Sequence, residues 1–218
     1  MRCVRPLLLS LFALAACQTR QPGPAPAAQL PAPPTDVAEE GWRAVARAED
    51  RERLERIPEL WQEALRHARE RGLGAQLRSE GGLLDPAGAL PRAVLPPGPY
   101  RCRLIRFDSG RRALIPYRSY FCHVLVEGDL MSLTKDDGSE RPGGYLWPDA
   151  DARQVFLGAL ALGGEAMPPA YGEAEGRNLV GIVERVGPFR YRLVMPSPPS
   201  GARLDVLELI PFVPDNGE

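Results

Sequence analysis

Two cysteines near the middle of the chain place the strongest constraint on its fold. Cys102 and Cys122 each lie in a segment where apolar and polar residues alternate, and such alternation is typical of β-strands. Each cysteine falls on the more apolar face of its segment. A register with Cys102 opposite Cys122 also brings Leu104 opposite Tyr120. We therefore predict an antiparallel strand pair, with a short extra strand at 113–115 between the two as the alternative.

Strand-like segments continue after the second cysteine at nearly regular spacing. Turn residues separate them, including the Asp-Asp-Gly-Ser sequence at 136–139 and the Gly-Pro pair at 187–188. Together with the cysteine-bearing pair they make about eight or nine strands, enough to close a small barrel and remove exposed edges. The further predicted strands are 130–135, 144–148, 153–162, 178–186, 189–195 and 204–210.

The segment from about Trp42 to Gly72 has helical periodicity instead. Charged residues surround a single apolar stripe, so the helix should pack one face against a core. Asp50 is suited to be an N-cap, and Gly72 suits the position after the helix. Pro58 should kink or split the helix close to Ile57. The stripe consists of Leu54, Ile57, Trp61, Ala64, Leu65 and Ala68.

One predicted strand, 155–162, is apolar on both faces, so its outer face needs a cover. The apolar stripe of the helix is the natural candidate. We therefore expect an α+β fold, in which an N-terminal helical part packs on the outside of a calycin-like antiparallel β-barrel. The expected bounds are 41–92 for the helical part and 98–211 for the barrel, within a single domain at 41–213, with a tail at 214–218.

Residues 1–16 have the pattern of an export signal, since two arginines precede an apolar run that is too short to span a membrane. The tetrapeptide Leu-Ala-Ala-Cys at 14–17 resembles a bacterial lipobox. In that family of signals the cysteine receives a lipid and becomes the mature N-terminus, which implies lipidation at Cys17. Gln18 after it, in place of aspartate, implies sorting to the outer membrane, facing the periplasm. The alternative is an ordinary cleaved signal with an incidental cysteine.

The segment that follows, residues 17–40, is rich in proline and alanine and is expected to be an extended tether. Removing residues 1–16 takes away two of the 27 basic residues and none of the 28 acidic ones, so the net charge becomes about −3. This balance argues against nucleic acid as a partner. An exported chain meets an oxidising compartment, where Cys102 and Cys122 are predicted to form a disulfide.

Short motifs spread over most of the chain carry a resemblance to a known family. They include Trp42-Arg43, Leu83-Leu84-Asp85-Pro86, Tyr100-Arg101-Cys102-Arg103, Phe121-Cys122, Leu133-Thr134-Lys135, Val155-Phe156-Leu157-Gly158, Gly187-Pro188 and Tyr191-Arg192-Leu193. In this order they resemble the family catalogued as domain of unknown function 4893, which occurs in exported bacterial proteins. The resemblance implies a single domain and supports pairing of the two cysteines, and it brings no activity with it. A weaker likeness, in architecture and cysteine placement, is to calycin-type barrels such as exported inhibitors of bacterial metalloproteases.

Residues with catalytic or metal-binding chemistry are sparse. The two histidines, His67 and His123, lack the spacing of metal ligands, and no serine lies in a nucleophile elbow. We therefore predict no metal, no cofactor and no catalytic set. Glu184 and Glu208 are the carboxylates that could pair for acid–base chemistry if the fold brings them together.

The segment with the composition of a recognition surface contains Arg141, Tyr145 and Trp147, because arginine, tyrosine and tryptophan dominate binding hot spots. The alternative is that the two aromatic residues belong to the core. The sequence favours a non-catalytic envelope lipoprotein that binds an apolar ligand or an envelope protein, with its N-terminal lipid in the membrane. A structural or assembly accessory and a carboxylate-dependent hydrolase are the alternatives.

Overall fold

The computed structural model of the protein describes residues 30–31 and 41–213. Within these ranges the chain begins with four α-helices and a short 3-10 helix. As predicted, the helical segment is split next to Ile57, at Arg56, and Pro58 occupies the first turn of the next helix, where its missing N–H is not needed. Asp50 lies inside a helix and not at its N-cap, which is Arg47, so that prediction is wrong. The helices are Trp42–Val45 (α1), Ala48–Glu55 (α2), Ile57–Glu70 (α3) and Gly74–Ser79 (α4), and the 3-10 helix is Gly81–Leu84.

Eight antiparallel strands of the described chain follow and close into a barrel. They pair in chain order, and the last strand pairs with the first. The prediction of an N-terminal helical part followed by a small antiparallel barrel is therefore confirmed. The strands are Gly98–Phe107 (β1), Ile115–Glu127 (β2), Leu130–Lys135 (β3), Glu140–Ala150 (β4), Arg153–Leu162 (β5), Asn178–Gly187 (β6), Arg190–Pro196 (β7) and Leu204–Pro211 (β8).

The two cysteines form the predicted disulfide, with an S–S distance of 2.04 Å. Strands β1 and β2 are direct neighbours, so the alternative of an extra strand between them is wrong. The predicted register is wrong by two residues, because Tyr100 lies opposite Cys122 and Cys102 lies opposite Tyr120. A shift of two residues keeps every side chain on its predicted face, and both cysteines are buried inside the barrel. The disulfide thus joins diagonal neighbours whose Cα atoms are 5.9 Å apart.

Buried residues form two layers, one inside the barrel and one between its outer surface and the N-terminal helices. The outer layer contains the predicted stripe, and Trp61 packs edge-on against Phe107 with ring centroids 5.6 Å apart. Helix α2 lies over β6, and α3 lies over β7 and β8. Strand β5 is buried on both faces as predicted, but its cover differs from the prediction. On the outer face of β5, Val45 and Tyr171 line the pocket beside Leu157, whereas α3 contacts β7 and β8.

The two ends of the barrel are built differently, and we call them the closed end and the open end. At the closed end, turns at 128–129, 151–152 and 188–189 join the strands. Leu95, from the segment before β1, is fully buried in the interior cluster at this end. The open end carries the four longer loops at 108–114, 136–139, 163–177 and 197–203. No helix of the described chain is both long and apolar enough to cross a membrane.

Candidate functional site at the open end of the barrel

A small cavity lies inside the open end, with a volume of about 30 Å³. That is room for roughly two water molecules. Below it the barrel is filled by side chains, including the fully buried Phe156 and Leu193. The cavity is therefore a shallow apolar recess in the mouth of the barrel. Its apolar lining consists of Leu104, Pro142, Leu160, Leu179, Met195, Pro198, Pro199 and Leu207.

Charged side chains border this apolar recess. Arg106 donates from Nε to Asp205 Oδ1 at 2.9 Å, and its Nη2 lies 2.8 Å from both Asp205 Oδ2 and Glu140 Oε2. Burial raises the pKa of the Asp205 carboxyl, although its bonds to Arg106 act in the opposite direction. Burial alone would lower the pKa of Arg106, but Asp205 and Glu140 hold it above its usual value. One guanidinium thus pairs with two carboxylates of the mouth, Asp205 and Glu140.

Lys135, the chain's single lysine, supplies a second cation to the cavity wall. Its Nζ donates to the carbonyl oxygens of Asp137 and Glu140, the latter at 3.1 Å, and lies 4.0 Å from the centroid of the Tyr120 ring. Burial lowers the pKa of Lys135. Among the residues that the structure describes, no carboxylate forms an ion pair with this ammonium. A charged group of opposite sign could therefore bind there without displacing Arg106 from its partners.

Arginine side chains hold the loops of the open end in place. Arg53, on α2, donates from Nη2 to the carbonyl oxygens of Pro196 and Ser197 at 2.9 and 2.7 Å. Its Nη1 pairs with Asp50, whose carboxylate also accepts a hydrogen bond from Tyr171 in the 163–177 loop. The helical layer therefore fixes two of the four loops, so the shape of the mouth depends on the N-terminal part.

Arg141 is a second such arginine and is buried, although the sequence placed it on a recognition surface. Its guanidinium donates to the carbonyl oxygens of Gly138, Gly163 and Glu165, which ties the 136–139 loop to the 163–177 loop. Its guanidinium is thereby committed to carbonyl oxygens of its own chain.

Tyr145 and Trp147, the other two residues of that predicted surface, are also buried. The Tyr145 hydroxyl donates to Glu127 Oε2 at 2.8 Å, and burial followed by this bond raises the pKa of the tyrosine. The aromatic pair thus belongs to the outer core layer, which is the alternative that the sequence left open. As an exposed patch made by these three side chains, the predicted surface is wrong.

The two candidate acid–base glutamates also have arginine partners. Glu184 and Glu208 lie on either side of Arg192 in the register of β6, β7 and β8. Arg192 is 0 % exposed and bonds Glu184 at 2.7 Å, while Glu208 bonds Arg103 and Arg190 at 2.8 and 2.6 Å. These charges alternate across the outer face of four strands, beneath the helical layer. Their geometry serves the attachment of that layer.

Arg192 joins the barrel directly to the N-terminal helical part, because its Nη1 also donates to the carbonyl oxygens of Leu83 and Asp85 at 3.0 and 2.7 Å. Sequence reasoning missed this network, although the arginines at alternate positions of the strands were a usable signal. It also missed Arg106, Lys135 and Asp205, because their strands meet only when the barrel closes.

The remaining candidates lie away from the mouth cavity. His123 pairs with Asp136 on the outer face of the barrel, with Nδ1 2.8 Å from Oδ2, and His67 lies beside the 108–114 loop. Within residues 30–31 and 41–213, no group of three histidine, cysteine or acidic residues could hold a metal ion. Cys17, the predicted lipidation site, lies outside the described residues.

Comparison with known proteins supplies a family. No curated protein matches the sequence. A solved structure of a redesigned beta barrel is similar at 10 % identity and a TM-score of 0.38, over 57 % of this chain and 99 % of that one. A family model matches residues 42–209, which span the helical layer and nearly all of the barrel. The chain therefore belongs to the family described as domain of unknown function DUF4893.

Proposed function

We propose that this protein is a lipid-anchored binding protein of the bacterial envelope, whose barrel binds the apolar group of a small anionic ligand at its open end. The observation that carries the proposal is the difference between the two ends. One end is sealed by Leu95 and tight turns, whereas the other combines an apolar recess, long loops and Lys135. Loops on a rigid scaffold are the usual place for binding residues.

The size of the recess limits the ligand. A cavity of about 30 Å³ takes the end of an alkyl or branched aliphatic group and not a whole hydrophobic molecule. The charge of the wall sets the sign of the polar group. Arg106 is saturated by Asp205 and Glu140, so Lys135 is the cation that a carboxylate or similar anion would meet.

Binding of hexanoate to the purified protein tests this assignment, with hexylammonium as the charge-reversed probe. The methyl signals of Leu104, Leu179 and Met195 should shift in a saturable manner in NMR titrations. Hexanoate should bind about fivefold more tightly than hexylammonium, which is the factor that an ion pair of about 1 kcal/mol provides. The preference should disappear in Lys135→Met and persist in the control variant Arg66→Met, which removes an exposed helix charge.

Two results would refute the assignment. One is the absence of saturable shifts at the open end, and the other is equal binding by Leu104→Phe, which fills the recess. Shifts that occur only around the exposed Phe189 of the closed end would also place the ligand elsewhere.

The anchor is supported by the lipobox-like tetrapeptide and by the proline-rich segment after it. Protein extracted from membranes should begin with an acylated Cys17, as detected by mass spectrometry of the N-terminal peptide. Several acyl chains, at about 0.8 kcal/mol per buried methylene, hold a protein stably in a bilayer. Cys17→Ser should release the protein from the outer-membrane fraction. An unmodified N-terminus at another residue would contradict the anchor and leave the ligand assignment standing.

A further inference from the structure

A groove lies on the outside of the barrel, and Leu30 of the N-terminal segment occupies part of it. Leu30 is 7 % exposed, although it precedes the helical layer and lies far from β4 in sequence. It belongs to the outer core layer and borders a groove that still contains a cavity of about 50 Å³. The groove is lined by Leu30, Pro31, Val45, Gly143, Gly144, Tyr145, Trp147, Leu157, Pro169, Ala170 and Tyr171.

The floor of the groove is shaped for an apolar side chain. A Cβ atom at Gly143 would lie 3.3 Å from Leu30 Cδ2 and 2.8 Å from Pro168 Cγ. The absence of a side chain at Gly143 therefore makes the space that Leu30 and Pro168 share. The Leu30 carbonyl lies 3.5 Å from the Tyr145 hydroxyl at the edge of this space.

The chemistry of the lining indicates the class of segment that fits. Tyr145, Trp147 and Tyr171 provide aromatic surfaces, and aromatic-lined grooves are the usual receptors for extended proline-containing peptides. Pro31 restricts Leu30 to the extended region of the backbone, so little conformational entropy is lost on docking. The pair Leu30-Pro31 thus combines an apolar side chain with a preformed extended backbone.

We propose that this groove is a binding site for an extended leucine–proline segment, and that Leu30-Pro31 of the protein's own tether fills it. The site does not depend on the ligand proposed for the open end. With Leu30 docked, the spacer between Cys17 and the barrel is limited to residues 18–29, which reach at most about 40 Å when fully extended. Docking of Leu30 therefore keeps the barrel closer to an anchor at Cys17 than the full length of the tether would allow.

A labelled synthetic peptide of residues 26–34 tests the proposal by fluorescence anisotropy on the mature chain. In the wild type the tether competes at millimolar effective concentration, so the peptide should bind at least about tenfold more weakly than to a Leu30→Ser variant. A peptide with serine in place of leucine should not bind that variant. Adding Gly143→Val to Leu30→Ser should abolish binding, whereas adding Gly164→Ala should not, because a Cβ atom at Gly164 would have no other atom within 4 Å.

The outcomes separate cleanly. Failure of the peptide to bind Leu30→Ser would overturn the proposal, and so would equal binding to Leu30→Ser and the wild type. Equal binding of the serine peptide would show that leucine is not recognised and would overturn it as well. The peptide comparison needs no change in the groove itself, so it stays decisive even if Gly143→Val destabilises the fold. The Leu30→Ser substitution should leave hexanoate binding at the open end unchanged, so the two sites are tested independently.

Discussion

The closed and open ends belong to the same eight strands, yet one is sealed by local structure and the other is held by long-range contacts. At the closed end the strands turn within two residues, and Leu95 fills the interior. At the open end, Arg53 and Arg141 reach loop carbonyls that are far away in sequence. Short turns leave little freedom to lose, whereas long loops need specific side-chain bonds to hold one shape. One barrel therefore secures its two ends by different means.

The largest effect should come from removing the side chain that fills the closed end. Leu95→Ala should lower the free energy of unfolding by about 4 kcal/mol, because Leu95 is fully buried and its neighbours cannot collapse into the space. Leu104→Ala at the open end should cost only about 1 kcal/mol, since it lines an existing cavity. Urea unfolding of both variants measures the difference. Equal losses would remove the distinction between the ends.

The disulfide should have the next largest effect, and the open end should feel it most. Replacing Cys102 and Cys122 by alanine should cost about 3 kcal/mol in the chain-entropy model. The covalent loop contains the 108–114 segment of the open end. Hydrogen exchange should increase most between residues 103 and 121. A uniform increase that includes the 188–189 turn would show that the disulfide stabilises both ends alike.

Two carboxyl groups at the open end should change their contributions to stability in opposite directions as the pH falls. Burial raises the pKa of Asp205 above 3.8, so its contribution to stability is largest below that value and declines as the pH rises through its folded pKa. The bond from Arg177, with a further bond from the Leu162 amide, lowers the pKa of Glu165 from 4.5 to about 2. The contribution of Glu165 is therefore complete above 4.5 and is lost as the pH falls through about 2.

The free energy of unfolding of Asp205→Asn and Glu165→Gln, measured from above pH 4.5 down to about pH 2, checks the direction of both effects. As the pH falls, the difference between wild type and Glu165→Gln should shrink, while the difference for Asp205→Asn should change in the opposite direction. Carboxyl NMR titration gives the order directly, with Asp205 protonated before Glu165. The reverse order would contradict the assignment of the buried carboxyl at the mouth.

The smallest effect should come from the surface of the closed end. Phe189 in the β6–β7 turn is 73 % exposed, so Phe189→Ser should change stability by less than about 0.5 kcal/mol. It should also leave hexanoate binding at the open end unchanged. A large loss of stability would mean that the closed end depends on its turn side chains as well as on Leu95.

The sequence predicted the strands well because alternation is a local signal, and Cys102 and Cys122 kept their faces even with the register off by two. Helical periodicity is a local signal too, so the sequence also predicted the helical layer. It could not predict the mouth, because Arg106, Lys135 and Asp205 come from β1, β3 and β8, which meet only in the closed barrel. Trp147 was ambiguous because an aromatic residue on a strand has the same pattern whether a helical layer covers it or not.

The pairing of β1 with β8 has a consequence for the order of folding. Strand β1 gains its second neighbour only when β8, residues 204–211, is present. A chain that is synthesised and exported from its N-terminus therefore cannot close the barrel until almost all of it is available. Such distant pairings are slow to form. The Cys102–Cys122 hairpin, by contrast, is complete after residue 127, and its disulfide can form while the last strand is still missing. We therefore expect oxidation to precede closure, with β1 exposing a temporary free edge that β8 finally covers.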